Sequence, residues 1–182
     1  MSILKDYYYA SDNLSSSSIY KENWQAQTFT TTESYKIKKI RLKMRRRSYS
    51  AIITISVQGT DINGKPDGVD LDYVSFDDSN LSVWPADAAW ADIPLSGTVS
   101  LNINTKYAIV IRNSNSVYPP NNDTIHCIGY TPGGYLNGSL MWSSDSGVTW
   151  TVTADDLLFE IWSSGGIIRN TRRFRGLREK YS

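Results

Sequence analysis

The chain is poor in the residues that carry most protein chemistry. Its 182 residues include one cysteine, Cys127, and one histidine, His126. A single cysteine excludes an intramolecular disulfide and any multi-cysteine zinc site. A lone histidine leaves little for imidazole-based metal binding or acid–base work. Long hydrophobic runs are also missing. No stretch approaches the ~18 apolar residues of a membrane-spanning helix. The opening MSILKDYYYASDNLSSSS lacks the apolar run of a secretory signal. These absences predict a protein made in a cytoplasm, compatible with release by lysis, with a cell-surface or extracellular setting as the second expectation. Charge of one sign is not in excess either: 19 basic side chains face 18 acidic ones, which excludes a uniformly basic nucleic-acid binder. A chain of this length can bury roughly 70% of its surface in one core, so it needs no covalent or metal staple.

What is present is charge in blocks. Residues 169–182 hold six basic groups (Arg169, Arg172, Arg173, Arg175, Arg178 and Lys180) against Glu179, a net of +5. The other 168 residues therefore carry a net of −4. A second basic run sets eight Lys and Arg between Lys36 and Arg47, and Asp61–Asp92 gathers eight aspartates with one lysine.

The rest reads as strand and turn. Ile40, Leu42 and Met44 alternate with Lys39, Arg41, Lys43 and Arg45, the period-two pattern of a half-buried strand. Ile37 is out of phase with that set, which predicts a bulge near Lys38. Ile53, Ile55 and Val57 repeat the alternation, and Leu101 to Ile111 does so around a turn at Asn104–Thr105. Further strands are predicted at 72–76, 124–130, 139–142, 150–152 and 157–162. Turn signals at Asn63–Gly64, Lys65–Gly68, Pro119–Pro120 and Pro132–Gly134 separate them. Short strands at this spacing, without a helical period, predict an all-β fold: an antiparallel, jelly-roll-like β-sandwich over 23–162. Residues 1–22 are expected as an N-terminal arm, and 163–182 as a basic C-terminal arm behind an SSGG hinge.

Ser143-Ser144-Asp145-Ser146-Gly147-Val148-Thr149-Trp150 fits S-x-D-x-G-x-T-W, the Asp-box pattern of sialidases and many other β proteins. The expected roles are structural. Asp145 accepts from turn amides with Ser143 and Thr149 beside it, Gly147 supplies a positive φ, and Trp150 folds back as an apolar plug. A single copy in so short a chain argues against a sialidase propeller. In order along the chain stand Gln27-Thr28-Phe29, Gly64-Lys65-Pro66-Asp67-Gly68, Thr105-Lys106-Tyr107-Ala108-Ile109-Val110, Gly134-Tyr135-x-x-Gly138-Ser139, the Asp box and Asp156-Leu157-Leu158-Phe159-Glu160-Ile161. This order resembles a β-sandwich family found in phage structural proteins and bacterial surface and adhesion proteins. The resemblance covers about residues 23–162. It implies a non-enzymatic component of a phage or phage-like particle (capsid decoration, tail or fibre-associated), a virion location, and copies of itself or other particle proteins as partners. The alternative it leaves open is a carbohydrate-binding or adhesion module, because the family is similar to carbohydrate-binding jelly rolls.

The candidate contact residues follow from this. Arg169, Arg172, Arg173, Phe174, Arg175, Arg178 and Lys180 form the expected docking arm, ordering against an acidic patch on a neighbour. Trp84, Trp90, Tyr118 and Tyr135 are candidates for a glycan platform or a protein contact, with Trp84 and Trp90 placed in a loop-like stretch. The Lys36–Arg47 run reads either as a site for an anionic partner or as a solvated face neutralised by 67–78. Nucleic acid is a poor fit, since no folded reading motif accompanies the tail. No cofactor or metal is expected. Asp77–Asp78 and Asp155–Asp156 are adjacent pairs whose side chains would point to opposite faces of a strand, so no catalytic residues are assigned.

Overall fold

The structure, a computed structural model, describes residues 2–9, 14–47, 50–113, 125–130 and 132–164. They form an antiparallel β-sandwich. One sheet runs β1 (Ile3–Tyr8), β14 (Phe159–Ser163), β4 (Tyr35–Arg46), β10 (Ile125–Tyr130) and β13 (Asp156–Leu157). Strand β2 (Leu14–Ile19) adds to β10, and β7 (Ala89–Pro94) and β8 (Ser100–Leu101) add to β4. The other sheet runs β12 (Thr151–Val152), β11 (Leu140–Ser143), β3 (Trp24–Thr30), β9 (Lys106–Arg112), β5 (Ile52–Thr60) and β6 (Pro66–Asp77).

The alternating strands explain the packing. Ile37, Ile40, Leu42 and Met44 of β4 turn inward with Ile93, Phe159 and Ile161. Phe29, Ile53, Ile55, Val57, Ile109 and Ile111 face them from the second sheet, and all thirteen are fully buried. The pairing of β4 with β14 skips Lys38, so Trp162 lies opposite Lys39 and Ser163 opposite Ile37, the bulge expected from the phase of Ile37. The Asn104 turn, with φ of 54°, separates β8 from β9. Between the sheets, Gln27 acts as a polar clasp. Its Nε2 donates to Asp156 Oδ1 at 3.0 Å and to the Thr28 carbonyl, while its Oε1 accepts from the Leu157 amide at 2.8 Å. Burial pushes the Asp156 carboxyl above its ordinary value, opposed by those bonds.

A second apolar cluster lies on the outer face of the second sheet. Ala26, Ala108, Val110 and Met141 are covered there by Trp150, with Trp24 alongside. This is why β9 reads as a continuous apolar run: both of its faces are buried.

The N-terminal arm does not hang free. Strand β1 pairs with β14, β2 pairs with β10, and Ile19 is fully buried in the main core. The periodicity here is weak for two reasons. A bulge between Leu4 and Asp6 resets the phase of β1, and β2 is four serines flanked by Leu14 and Ile19.

Gly138 fits where nothing larger can. A Cβ there would overlap the Thr28 carbonyl oxygen, on a segment held to β3 by the Ser139 amide donating to Thr28 Oγ1 at 2.8 Å. The obstruction is backbone, so it is not relieved by a rotamer change. Gly138→Ala is expected to cost about 1–3 kcal/mol or more, read as a lower urea midpoint with an unchanged slope. An unchanged midpoint would show that this segment shifts freely.

Candidate interaction surfaces

The outer face of the first sheet carries a cross-strand row of Tyr7, Glu160, Arg41 and Asp92 on β1, β14, β4 and β7. Arg41 Nη1 donates to both Glu160 oxygens at 3.1 Å, and its Nε lies 2.6 Å from Asp92 Oδ1. Glu160 also accepts from the Tyr9 hydroxyl at 2.6 Å and from Trp162 Nε1 at 2.7 Å. Lys39 reaches Asp92 at 3.0 Å and sits 5.1 Å from the Trp162 ring centre. Burial alone raises the Glu160 carboxyl, but bonds from Tyr9, Trp162 and Arg41 outweigh it and hold the group below its ordinary value.

Two of the eight cations in the basic run from Lys36 to Arg47 are paired within the sheet of β4, Lys39 with Asp92 and Arg41 with Asp92 and Glu160. One expectation is corrected. Trp90 belongs to strand β7 rather than to a loop, and its ring is taken up by Tyr9 at 5.6 Å and by Arg41 at 5.5 Å. The network had a trace in the sequence, the Tyr7–Tyr9 run and the charged residue inside Phe159-Glu160-Ile161, but their meeting depends on where β1 lands.

The other aromatic candidates separate. Trp84 is 50% exposed, with Arg47 6.0 Å from its ring centre. Tyr135 is buried in the main core, so it offers no surface platform. Its hydroxyl donates to Asp6 Oδ2 at 2.5 Å and its ring meets Phe159 edge-on at 5.1 Å. The sequence makes it a candidate for a glycan or protein contact. Gly133 and Gly138 bring the flanking backbone close to 154–156 and to β3. Tyr118 and the seven arm residues Arg169, Arg172, Arg173, Phe174, Arg175, Arg178 and Lys180 lie outside the described residues.

The Ser143–Trp150 turn is tightly organised. Asp145 accepts from the Thr149 amide at 2.8 Å, the Thr149 hydroxyl at 2.6 Å and the Ser143 hydroxyl at 2.7 Å. The Ser143 hydroxyl in turn accepts from the Gly147 amide at 2.8 Å. Gly147 has φ of 83°, and Trp150 is buried against Met141 and Ala26. The bonds from Thr149 and Ser143 draw the Asp145 carboxyl down to about 2. Burial pushes the Cys127 thiol up to about 12, which leaves it an inert core residue.

Asp77 and Asp78 both accept from backbone amides. Asp78 is buried and accepts from the Ala51 amide at 2.7 Å, and Asp77 accepts from the Ser79 amide at 2.9 Å. Among the described residues no three His, Cys, Asp or Glu side chains are grouped to hold a metal ion.

The largest unpartnered backbone feature is β6. It is twelve residues long, stands at the edge of its sheet and pairs only with β5 among the described residues. Val69, Leu71 and Tyr73 are 61%, 41% and 61% exposed along it. Asp67, Asp70, Asp72 and Asp77 punctuate the same strand. Asp70 is neutralised by Arg112 and held by Gln58, while Asp72 accepts from Ser96, so Asp67, Asp72 and Asp77 give the edge its acidic character. A long apolar edge of this kind is ordinarily blunted or covered. No protein-family model matches the chain, and no curated protein matches its sequence.

Proposed function

We propose that the chain is a non-enzymatic structural module of a larger assembly, of the kind found in the phage or phage-like particles whose proteins its motif order resembles. In this reading its basic C-terminal segment docks on the acidic β6 edge of a neighbouring copy. The observation that carries the proposal is β6 itself: a strand that pairs on one side only among the described residues, with four aspartates, one of them neutralised by Arg112, and three exposed apolar side chains. The segment after Arg169 has the complementary make-up, six basic groups interleaved with Phe174, Leu177 and Tyr181. Strand addition would satisfy the free backbone groups of β6, while the charges set orientation and register. The network around Glu160 has a different part here. Its charges and aromatic rings satisfy one another and tie β1 to the sheet.

Deleting 165–182 is expected to leave the melting temperature of the sandwich unchanged and to abolish assembly, followed by sedimentation velocity. Contacts between exposed charges weaken over a Debye length of about 8 Å at physiological salt, so assembly of the intact chain also falls as salt rises. A truncated chain that assembles like the intact one sinks the docking role.

A further inference from the structure

Three loops at one end of the sandwich carry aliphatic side chains into solvent. Ile62 sits in the 61–65 turn between β5 and β6, Ile103 in the 102–105 turn between β8 and β9, and Leu136 in the stretch 132–139 that leads into β11. At 101% and 96%, Ile62 and Leu136 are the most exposed large apolar side chains among the described residues, and Ile103 is 53% exposed. The loops form one continuous rim. The Lys106 side chain lies against Gly64, the Asn104 amide donates to the Thr31 carbonyl at 2.8 Å, and the Thr30 hydroxyl donates to the Asn137 carbonyl at 2.9 Å. In the order β11-β3-β9-β5-β6 the outer two tips stand about three strand spacings apart, roughly 15 Å.

The aliphatic side chains do nothing for the loops that hold them. Asp61 closes its turn by accepting from the Asn63 and Lys65 amides at 2.8 and 2.9 Å, and its carbonyl accepts from the Gly64 amide at 2.9 Å. The Ile103 amide donates to Ser34 Oγ at 2.9 Å, and Gly138 is wedged against the Thr28 carbonyl. Turn positions of this kind ordinarily carry polar residues. A single exposed aliphatic residue is commonplace, but three on one bonded rim call for a partner. The charge around them is one-sided. Glu33 is taken by Lys5 at 2.6 Å, and the Asp61 carboxylate is turned onto its own loop. Lys36 and Lys106 are exposed and have no ion-pair partner among the described residues. The basic groups of 169–182 follow in the chain from Ser164, whose amide donates to the Lys36 carbonyl at this same end at 3.2 Å.

We infer that this end of the sandwich docks on an anionic phospholipid bilayer. Ile62, Ile103 and Leu136 enter the boundary between headgroups and acyl chains, and Lys36 and Lys106 face the lipid phosphates. Tips of pure hydrocarbon, with no donor or acceptor, match acyl chains rather than a hydrogen-bonding ligand. Their separation points the same way. A folded partner would need three separate holes in fixed register, whereas a fluid surface yields around each tip. The unpaired lysines select anionic over neutral lipid. This contact goes beyond docking at β6 and uses none of that strand's unpaired backbone.

The test is flotation of the full chain with vesicles of phosphatidylcholine carrying about 30% phosphatidylserine, compared with phosphatidylcholine alone. The native chain should float with the anionic vesicles and largely stay behind with the neutral ones. Ile62→Asn and Leu136→Asn should each weaken partitioning about tenfold, as for withdrawing one aliphatic side chain from an apolar phase. Lys106→Gln should weaken it about fivefold on the anionic vesicles. Val148→Asn should change nothing, because that exposed side chain lies in the turn after β11, at the opposite end. All four side chains are outside the core, so the variants keep the native melting temperature. Docking at β6 is read separately, by sedimentation velocity without lipid, and Ile62→Asn should leave that profile as it is in the native chain. A native chain that ignores anionic vesicles overturns the inference. So does binding that survives Ile62→Asn and Leu136→Asn together, which would rest on the basic segment alone. Loss of lipid-free assembly in that double variant overturns it too, by seating a second copy of the chain on the tips.

Discussion

Replacing Glu160 with alanine lowers the melting temperature by roughly 4–16 °C, corresponding to about 2–4 kcal/mol in a domain of this size. The magnitude follows from what the carboxylate holds. Glu160 is 5% exposed and accepts from Arg41, Tyr9 and Trp162, so its removal strands a hydroxyl, an indole N–H and half of a guanidinium fork. Arg41 keeps Asp92, which is why the loss falls short of that for a fully isolated buried charge. Glu160→Gln keeps one acceptor and costs less. The folded pKa is depressed, so the stabilisation is complete above the ordinary value of 4.5 and disappears as pH falls through the lower folded value. The native chain and Glu160→Ala should therefore converge in stability in acid. A gap that stays constant down to strongly acidic pH would show that the charge of Glu160 contributes nothing.

Trp150→Ala produces a loss of about 3–5 kcal/mol, the range for removing a buried large aromatic side chain. Trp150 is 6% exposed and covers Ala26, Ala108, Val110 and Met141, so its removal opens the second apolar cluster to water. Trp24 packs against that cluster and against Gly147. The near-ultraviolet circular dichroism from these indoles should collapse well before the far-ultraviolet strand signal does. Chemical denaturation measures the size of the effect, and a loss below about 1 kcal/mol would mean that the turn does not seal this face.

Much of the sandwich was legible because the alternation in β4, β5 and β9 is a direct imprint of one buried face on a period of two. Ile37 even recorded the bulge at Lys38. The polar residues of the Ser143–Trp150 turn were legible for a similar reason, since Ser143, Asp145, Gly147 and Thr149 are tied to one another within four positions. The surfaces were harder. Tyr135 read as a contact residue, yet Gly133 lets the backbone approach 154–156 and the ring lies in the core. Trp90 read as a loop residue because Pro85 and the alanines around it mask a strand that exists through its pairing with β4. The edge position of β6 left no local trace at all. Strand order and hydrogen-bond satisfaction are properties of the assembled sheets, and no short stretch of sequence contains them.

The docking of the basic segment on β6 can be read at residue level by zero-length carbodiimide cross-linking, which joins an amine to a carboxylate in contact with it. An equal mixture of ¹⁴N- and ¹⁵N-labelled full chains, cross-linked at low salt and analysed by mass spectrometry, separates bonds between copies from bonds within one. The account predicts mixed-isotope links from Lys180 to the β6 aspartates, foremost Asp67 and Asp77, that fade at high salt. Links from Lys180 confined to its own chain, or a chain that stays monomeric and unlinked at low salt, would contradict it.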